Sequence, residues 1–405
     1  MQACGIIVEY NPFHYGHQHH LKKAKEISGA TCIIACMSGN FLQRGEPAII
    51  DKFKRTQMAI DQGVDIVIEL PYAHTVQHSD QFAYGAVNLL NELGVSSICF
   101  GSEQGDISSF FKSYQAYQEN KEDFDSTLKQ ELALGKSFPL ASNVAFEAIG
   151  LGHTNNSLDL SKPNNILGFS YVKSIHAIDP SIKAITIKRL QSSYHDQTIT
   201  SPYASATSIR HELIKQQAFT ATVSPTLPAS SKHYLETYKH ETGIWHTWEA
   251  YFSLLQYRVL TMSAEELQMI HGVDEGFEHR LKRTAKDVMS FQEWIDILKT
   301  KRYTQTRIQR MFVHLLTNTS KAAIHSIQVD KKAPYIRLLG MSQQGKDYLN
   351  QTKKNRTVPI MTQLNRNIPM MMTLDERATD AYYAVIPRHL RKQLRMQEFQ
   401  PPYQT

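Results

Sequence analysis

The stretch Gly5-Ile-Ile-Val-Glu-Tyr-Asn-Pro-Phe-His-Tyr-Gly-His17 decides the fold of this 405-residue chain. It begins in an apolar run that is typical of a buried parallel strand, and apolar residues at helical spacing follow it. The turn between strand and helix holds two imidazoles, His14 and His17, beside Gly16. A helix N-terminus offers free N–H groups to an anion, and glycine lets phosphate approach the backbone. The turn is therefore predicted to bind phosphate, with imidazoles donating to oxygens that gain charge during attack at phosphorus.

Strands and helices alternate through the first half of the chain. Further apolar runs at 31–37, 65–70, 96–100 and 183–188 predict four more strands, separated by helical patterns. This order predicts an α/β, Rossmann-like fold with a parallel sheet and right-handed crossovers.

Several polar or glycine-containing turns follow the strands of this predicted sheet. Ligands of such sheets bind beyond the carboxyl ends of the strands. His14, Ser38-Gly39, Pro71 and Gly101-Ser102 all come directly after a predicted strand. We therefore expect these turns to meet at one pocket.

The pattern changes after about residue 220. Ser224-Pro-Thr-Leu-Pro228 is typical of a connector, and mostly helical patterns follow it. We predict a phosphate-binding α/β domain over residues 1–220, with a helical insertion at 107–160. Residues 221–405 are predicted to form a mostly helical C-terminal domain.

Composition is that of an ordinary soluble chain, with 41% apolar and 20% charged residues. A net charge of +6 suits an anionic partner such as ATP or RNA. No apolar run is long enough to span a bilayer, and the N-terminus enters a strand without a secretory pattern. The four cysteines are predicted to be buried, reduced thiols. We expect a cytoplasmic protein without membrane contact and without a metal site built by the chain.

A second phosphate motif is Ser205-Ala-Thr-Ser-Ile-Arg210. A Ser/Thr turn opening a helix can hold the outer phosphates of a nucleotide, and the Arg210 guanidinium can neutralise developing pyrophosphate charge. The same residues could equally form an ordinary N-cap followed by an arginine that faces solvent. The histidine motif in the same α/β unit favours the phosphate interpretation.

Other candidates lie in turns and on one later helix. Ser38, Asn40, Gln43 and Arg44 are predicted to contact a carboxylate or a base, or else to form a solvated loop. Gly101 would allow close approach of adenine or ribose. Three further pairs have two interpretations each, a ligand contact or a structural or solvated role: Asn164 and Asn165, His195 and Asp196, and Arg307 and Arg310.

With these residues in view, the chain resembles the bacterial tRNA(Met) cytidine acetate ligase family, within the HIGH nucleotidyltransferase superfamily that has the His-x-Gly-His motif. The resemblance covers the whole chain, and its most specific strings precede residue 215. They are the opening stretch, Ser38-Gly-Asn-Phe-Leu-Gln-Arg-Gly-Glu-Pro47, Asp65-Ile-Val-Ile-Glu-Leu-Pro71, Pro163-Asn-Asn-Ile-Leu-Gly168 and Ser205-Ala-Thr-Ser-Ile-Arg210.

The resemblance implies a two-step reaction. Acetate attacks the α-phosphate of ATP to give acetyl-adenylate and pyrophosphate, with Mg²⁺ on the phosphates. The exocyclic amine of the wobble cytidine of elongator tRNA(Met) then takes the acetyl group and releases AMP. The resemblance further implies that residues 1–220 form a nucleotidyltransferase-like, ATP-binding catalytic domain and that residues 221–405 bind tRNA. His14, His17 and Arg210 are the predicted catalytic residues. The residues predicted to contact acetate or tRNA are Ser38, Asn40, Gln43, Arg44, Arg307 and Arg310. The predicted nucleotide-binding residues are Ile7, Val8, Glu9, Tyr10, Asn11, Pro12, Phe13, His14, Gly16, His17, His20, Gly101, Asn164, Asn165, Lys188, Arg189, Ser205, Thr207 and Arg210.

Two alternatives share these motifs. One is a small-molecule adenylyltransferase, although such enzymes are usually much shorter than this chain. The other is a non-catalytic RNA-binding protein built on the same fold, against which the intact histidines and Arg210 argue.

Overall fold

A mixed sheet lies at the centre of the protein. The computed structural model describes every residue except 152–157, 191–198, 200, 275, 330–332 and 365–367. Its strands are β1 (Ala3–Val8), β2 (Cys32–Ser38), β3 (Ile66–Leu70), β4 (Ser97–Ser102), β5 (Lys183–Lys188), β6 (Ile336–Met341), β7 (Ile360–Met361) and β8 (Tyr403–Gln404). They lie in the order β5-β4-β1-β2-β3-β6-β7, with β8 beside β6.

The first five strands are parallel, as the alternation of strand and helix predicts. Their carboxyl ends therefore meet at one edge, and the spatial order reverses at β1, between β2 and β4. The Rossmann-like α/β prediction is confirmed. The five predicted strands are all present, and the largest difference in bounds is at β4, which was predicted to end at residue 100 and ends at Ser102.

Helices connect these strands on both faces of the sheet. In chain order they are α1 (Tyr15–Ser28), α2 (Lys52–Asp61), α3 (Tyr72–Thr75), α4 (Ser79–Glu92), α5 (Ile107–Glu119), α6 (Lys121–Ala133), α7 (Phe138–Ala148), α8 (Pro163–Ile178) and α9 (Ala206–Gln216). α1 ends at Gly29, whose φ of 64° is left-handed and suits glycine. Helices α5 to α7 make up most of the predicted insertion.

The second half is mostly helical, as expected. Its helices are α10 (Ala229–Thr242), α11 (Trp248–Thr261), α12 (Ala264–Gln268), α13 (Phe277–Thr284), α14 (Phe291–Leu298), α15 (Gln305–Leu316), α16 (Lys321–Val329), α17 (Gln343–Gln351), α18 (Met370–Tyr383) and α19 (Arg388–Arg395). The sequence did not predict α10, which begins directly after Pro228. Its buried residues are few and include Ser231 and Thr242, so the apolar pattern is weak.

The C-terminal part of the chain adds three strands, β6, β7 and β8, to the same sheet. β6 runs antiparallel to β3, which places Arg337 opposite Glu69. β7 and β8 then pair with β6. The sheet of the first half thus takes strands from the second half, and the division at residue 220 stays a prediction.

Three buried clusters hold the molecule together. Successive residues of β2 alternate between the two faces of the sheet, so Ile33 enters one cluster and Ile34 the other. The third cluster lies among helices α11 to α18 and includes Phe41 and Tyr72 from the first half. All four cysteines are buried and free, as predicted. In the described parts of the chain no helix has the length and apolar character needed to cross a bilayer.

Candidate active site

A cavity of about 1320 Å³ opens at the carboxyl ends of the parallel strands. Its walls come from the turn after β1, the ends of β4 and β5, the start of α9, the helical insertion and α15. The predicted site residues that line it are Ile7, Val8, Glu9, Tyr10, Asn11, His14, Gly16, His17, His20, Gln43, Arg44, Gly101, Asn164, Lys188, Arg189, Ser205, Thr207, Arg210, Arg307 and Arg310. One cavity thus brings both phosphate motifs together.

The two histidines of the first motif are held by the start of α1. His14 is the N-cap, and its Nδ1 accepts a hydrogen bond from the Gly16 N–H at 3.0 Å. His17 Nδ1 accepts from the His14 N–H at 3.3 Å. The ring centres lie 3.8 Å apart. A neutral imidazole whose Nδ1 accepts must carry its hydrogen on Nε2. Both rings therefore present an Nε2–H donor.

Burial keeps these imidazoles uncharged. It lowers the pKa of His14 to about 3, and the nearby positive charges of Arg189 and Arg210 act in the same direction. Burial likewise holds the pKa of His17 well below its ordinary value, helped by His14 and Arg189. The two rings are neutral hydrogen-bond donors at neutral pH.

Gly16 is required by the packing of His14. A Cβ at Gly16 would lie 2.7 Å from Cε1 of the His14 ring, which is far inside van der Waals contact. Any larger residue at this position would displace the ring and break the cap. The glycine of the motif therefore serves the histidine's geometry as well as access for an anion.

Arg210 ties the second motif to the first. Its Nη1 donates to the Asn11 carbonyl at 2.8 Å, and its Nη2 contacts Glu46 Oε2 at 2.9 Å. Ser205 caps α9, because its Oγ accepts from the Ser208 N–H at 3.1 Å. The guanidinium thus lies beside the histidine turn although almost two hundred residues separate them in sequence. The sequence did not assign Glu46 a role, and it orients this arginine.

The ends of β4 and β5 supply further positive charge. Lys188 and Arg189 line the cavity as predicted. A Cβ at Gly101 would lie 3.3 Å from Arg189 Cγ. Gly101 therefore makes room for the stem of this arginine.

Helix α15 forms the opposite wall. Arg310 Nε donates to the Gln43 carbonyl at 2.7 Å. The Arg307 guanidinium lies 4.1 Å from the ring centre of Tyr303, with a carboxylate oxygen of Asp274 at 3.5 Å. Gly45, with a φ of 76°, abuts the backbone of Arg310. The basic residues predicted to meet RNA thus face the same cavity as the phosphate motifs.

Five predicted site residues lie outside the cavity lining, namely Pro12, Phe13, Ser38, Asn40 and Asn165. Phe13 is part of the core. Asn40 Oδ1 accepts from the Lys52 N–H at 3.0 Å, and Asn165 Oδ1 accepts from the N–H groups of Glu103 and Gln104. These amide side chains fix loops beneath the site. His195 and Asp196 lie outside the described residues.

The Glu103 side chain caps the N-terminus of α8. The Glu103 carboxylate accepts from the N–H of Asn164 at 3.2 Å and from that of Asn165 at 2.8 Å. These N–H groups are therefore satisfied within the protein. The histidine turn also uses N–H groups in its own cap, because those of His14 and Gly16 donate to imidazole Nδ1 atoms. At that turn the donors that face an anion are therefore the imidazole Nε2–H groups.

Cavity residues from the helical half were not found from the sequence. His271 and Asp274 lie in the loop between α12 and α13, and Lys321 begins α16. Asp274 pairs with Lys321 at 2.9 Å. Single polar residues in a loop have no spacing that distinguishes them from solvated ones, so no sequence pattern marked them.

The described residues provide no cluster of three or more His, Cys, Asp or Glu side chains suited to a metal ion. The acidic residue nearest the second motif, Glu46, is already paired with Arg210.

Comparisons with known proteins show the family to which the chain belongs. The sequence model of the HIGH Nucleotidyl Transferase family matches residues 1–398. The tRNA(Met) cytidine acetate ligase of Oceanobacillus iheyensis is 53% identical over 99% of both chains. That of Bacillus subtilis is 45% identical over 98% of this chain and 96% of its own.

Two solved structures are similar throughout. Crystal structures of Thermotoga maritima TmcAL, without ligand and with alpha-thio ATP, superpose with TM-scores of 0.91 and 0.89. Each is 31% identical in sequence and covers 100% of both chains. The cavity described above therefore lies in a fold that, in that relative, binds an ATP analogue.

Proposed function

Because this chain belongs to the HIGH nucleotidyl transferase family and, within it, to the tRNA(Met) cytidine acetate ligases, we propose that it joins acetate to the wobble cytidine of elongator tRNA(Met). ATP drives the reaction, and the products are 4-acetylcytidine, AMP and pyrophosphate. The observation that carries the proposal is the meeting of two neutral histidines and Arg210 at one cavity.

The first step forms acetyl-adenylate. An acetate oxygen attacks the α-phosphorus, and pyrophosphate leaves with the electron pair of the broken P–O bond. The Nε2–H groups of His14 and His17 are suited to donate to α-phosphate oxygens, where negative charge increases during attack. Arg210 and the capped start of α9 are suited to hold the leaving pyrophosphate.

The neutral state of the histidines matters for this step. Donors that are already oriented by the Gly16 and His14 N–H groups need no rearrangement as the charge develops. Their hydrogens stay on Nε2 because both Nδ1 atoms are occupied. The cap of α1 thus fixes the direction in which the motif can donate.

The second step transfers the acetyl group to tRNA. The cytidine amine attacks the acetyl carbonyl, and AMP leaves. Arg307 and Arg310 on α15 line the cavity and are suited to contact the backbone of an RNA strand. A cytoplasmic location, where tRNA is found, follows from the same proposal. Mg²⁺ bound to the nucleotide would neutralise phosphate charge.

Exchange of labelled pyrophosphate into ATP tests the first step. We expect exchange that depends on acetate, and mass spectrometry of tRNA(Met) incubated with ATP and labelled acetate should show one labelled acetylcytidine. Exchange that requires a nucleotide-like acceptor in place of acetate would favour the small-molecule adenylyltransferase. Absence of any exchange, with tRNA binding retained, would favour the non-catalytic RNA-binding protein.

A further inference from the structure

Five carboxylates line the cavity among the described residues, and one of them differs from the rest. Four have a cationic partner: Glu46 with Arg210 at 2.9 Å, Asp80 with Lys173 at 2.5 Å, Asp125 with Lys121 at 2.5 Å and Asp274 with Lys321 at 2.9 Å. Glu9 makes no ion pair with any residue that the structure describes. It follows β1 directly and begins the histidine turn.

The position of Glu9 is fixed by one of its two oxygens. Oε1 accepts a hydrogen bond from the Gln43 N–H at 2.8 Å. Oε2 has no hydrogen-bond partner within the described parts of the chain, and the side chain lines the cavity. The charged groups that act on Glu9 electrostatically are the Glu46 carboxylate and the guanidinium groups of Arg44 and Arg210, and Glu9 acts in turn on Arg310.

The Glu9 carboxylate is not suited to bind the ligands of the first step. ATP and acetate are both anionic, and like charges repel one another. The group suited to this oxygen is an N–H donor. Carboxylates recognise cytosine by accepting from its exocyclic N4 amine.

We propose that Glu9 is a further catalytic residue, whose carboxylate accepts a hydrogen bond from the cytidine N4 amine and takes its proton during acetyl transfer. This assignment rests on the proposed function. It separates the turn after β1 into two parts. His14 and His17 serve the nucleotide, whereas Glu9, which the sequence grouped with the nucleotide-binding residues, serves the acceptor base.

The step balances in atoms and electrons. A bond forms between N4 and the acetyl carbonyl carbon. The bond between that carbon and the phosphate oxygen breaks, and AMP leaves with its electron pair. The proton displaced from N4 passes to Glu9 Oε2. Burial raises the pKa of Glu9, and its hydrogen bond from Gln43 opposes this only in part. A raised pKa brings a carboxylate closer to the range of an effective general base.

The variant Glu9→Gln separates the two steps. Glutamine keeps an oxygen for the Gln43 N–H, so the loop anchor is retained. We expect acetate-dependent pyrophosphate exchange to stay within about threefold of wild type, while single-turnover acetylation of tRNA(Met) falls by about 100-fold or more. Hydroxylamine is a stronger nucleophile that needs no base. Its capture of acetyl-adenylate as acetohydroxamate should be equal in both proteins.

Two controls accompany this variant. Glu236→Gln removes an exposed carboxylate on α10 that lies outside the cavity lining and is already paired with Lys232, and it should leave both steps near wild type. In wild type the single-turnover transfer rate should rise with pH as Glu9 ionises, whereas in Glu9→Gln the rate should not change across the same range.

The assignment is overturned if Glu9→Gln transfers acetyl to tRNA at the wild-type rate. It is also overturned if exchange and hydroxylamine capture fall as far as tRNA acetylation, because Glu9 would then serve adenylation or the fold. A wild-type protein without acetate-dependent exchange would refute the proposed function itself, and with it the premise of this assignment. That outcome is read from wild type alone, so the two failures are distinguishable.

Discussion

At the scale of single residues, the hydrogen-bond roles of His14 and His17 determine what the site can do. Each ring accepts a backbone N–H at Nδ1. This leaves both Nε2–H groups as donors. The hydrogen bonds that cap α1 therefore also set the direction in which the imidazoles donate. A change that keeps the acceptor and removes the donor should therefore separate folding from catalysis.

His17→Asn makes that change. The shorter amide keeps an oxygen near the Nδ1 position for the His14 N–H and has no group at Nε2. We expect acetate-dependent pyrophosphate exchange to fall by about 100-fold or more, as for other lost oxyanion donors, with an unchanged melting temperature. Gln18→Ala, on the exposed side of the same helix, is the control and should keep full exchange. Unfolding of His17→Asn at ambient temperature would instead assign His17 a purely structural role.

The residues of this site could be predicted where a motif has strict spacing. His14, Gly16, His17 and Arg210 all line the cavity as expected. Ser38 and Asn40 do not, because a polar residue after a strand can turn inward to satisfy the backbone as readily as outward to a ligand. Asn40 does so by accepting from the Lys52 N–H. Local sequence contains nothing that separates these two outcomes.

At the scale of elements, α15 and the segment Ser38–Pro47 form one wall of the site. The Gln43 carbonyl accepts a hydrogen bond from Arg310, and the Gln43 N–H group donates to Glu9. Gly45 lies against the α15 backbone. The two elements therefore position Glu9, although they come from opposite halves of the chain.

Arg307→Ala and Arg310→Ala should have different effects. Arg307 contacts Tyr303 and Asp274, so its loss should weaken tRNA binding and lower the salt slope by about one per phosphate contact, with exchange retained. Loss of Arg310 should also reduce exchange, since the segment after β2 loses its anchor. Filter binding at several salt concentrations and the exchange assay measure the two effects.

Lys346→Ala, an exposed lysine on α17 away from the cavity, is the control for these arginines and should change neither quantity. Unaltered tRNA affinity in Arg307→Ala would return that side chain to a solvated surface role. Equal loss of exchange in both arginine variants would contradict the distinction drawn between them.

The elements that sequence patterns predicted well are those with long apolar periods, such as β2 and α4. α10 was missed because much of the surface that it buries is polar or aromatic. α13 was missed for a similar reason, since Phe277 and Leu281 are separated by charged residues. Such helices are stabilised by tertiary packing more than by their own pattern.

At the scale of the whole molecule, a buried charge cluster joins the first half of the chain to its last residues. Lys52 Nζ lies 2.7 Å from Glu69 and 2.6 Å from Glu398, and Arg337 contacts Glu398 at 3.1 Å. All four side chains are buried. These buried ion pairs therefore hold the C-terminal segment against the sheet, and removal of one partner would leave a buried charge unpaired.

Lys52→Met should destabilise the protein by about 3–5 kcal/mol, because two buried carboxylates lose their shared cation. The free energy of unfolding in urea measures this. Lys23→Met, which breaks an exposed ion pair with Glu26, should change that free energy by less than about 1 kcal/mol. A Lys52→Met protein as stable as wild type would show that the cluster contributes nothing to joining the two halves.

Acid should destabilise the fold. Burial lowers the pKa of His14 and of His246 to about 3, that of His74 to about 4, and that of His314 well below its ordinary value. Below pH 6.5 the unfolded chain takes up protons that the folded chain does not, so stability falls with pH at about 1.4 kcal/mol per histidine per pH unit.

Buried carboxyls oppose this trend. Burial raises the pKa of Asp375 to about 8, so its contribution to stability is present at low pH and is lost as pH rises through 8. Burial also lowers the pKa of His17, of His20 and of His271, so the histidines outnumber the carboxyls with a raised pKa and we expect a net loss of stability below pH 6.5. Urea unfolding at pH 7.5 and pH 5.5 checks this, and equal or greater stability at pH 5.5 would contradict it.

The whole-molecule arrangement was the hardest to predict. The parallel sheet follows from alternating strands and helices, and its prediction was correct. The antiparallel pairing of β6 with β3 was not predicted, since the sequence of Ile336–Met341 does not indicate which strand it pairs with. Long-range pairing of this kind depends on the complete fold.

A crystal structure of this protein with a non-hydrolysable ATP analogue tests the central claim most directly. The account predicts α-phosphate oxygens within hydrogen-bond distance of Nε2 of both His14 and His17, and the outer phosphates at Arg210 and the start of α9. A triphosphate bound elsewhere in the molecule, or one that leaves either imidazole or Arg210 without phosphate contact, would contradict it.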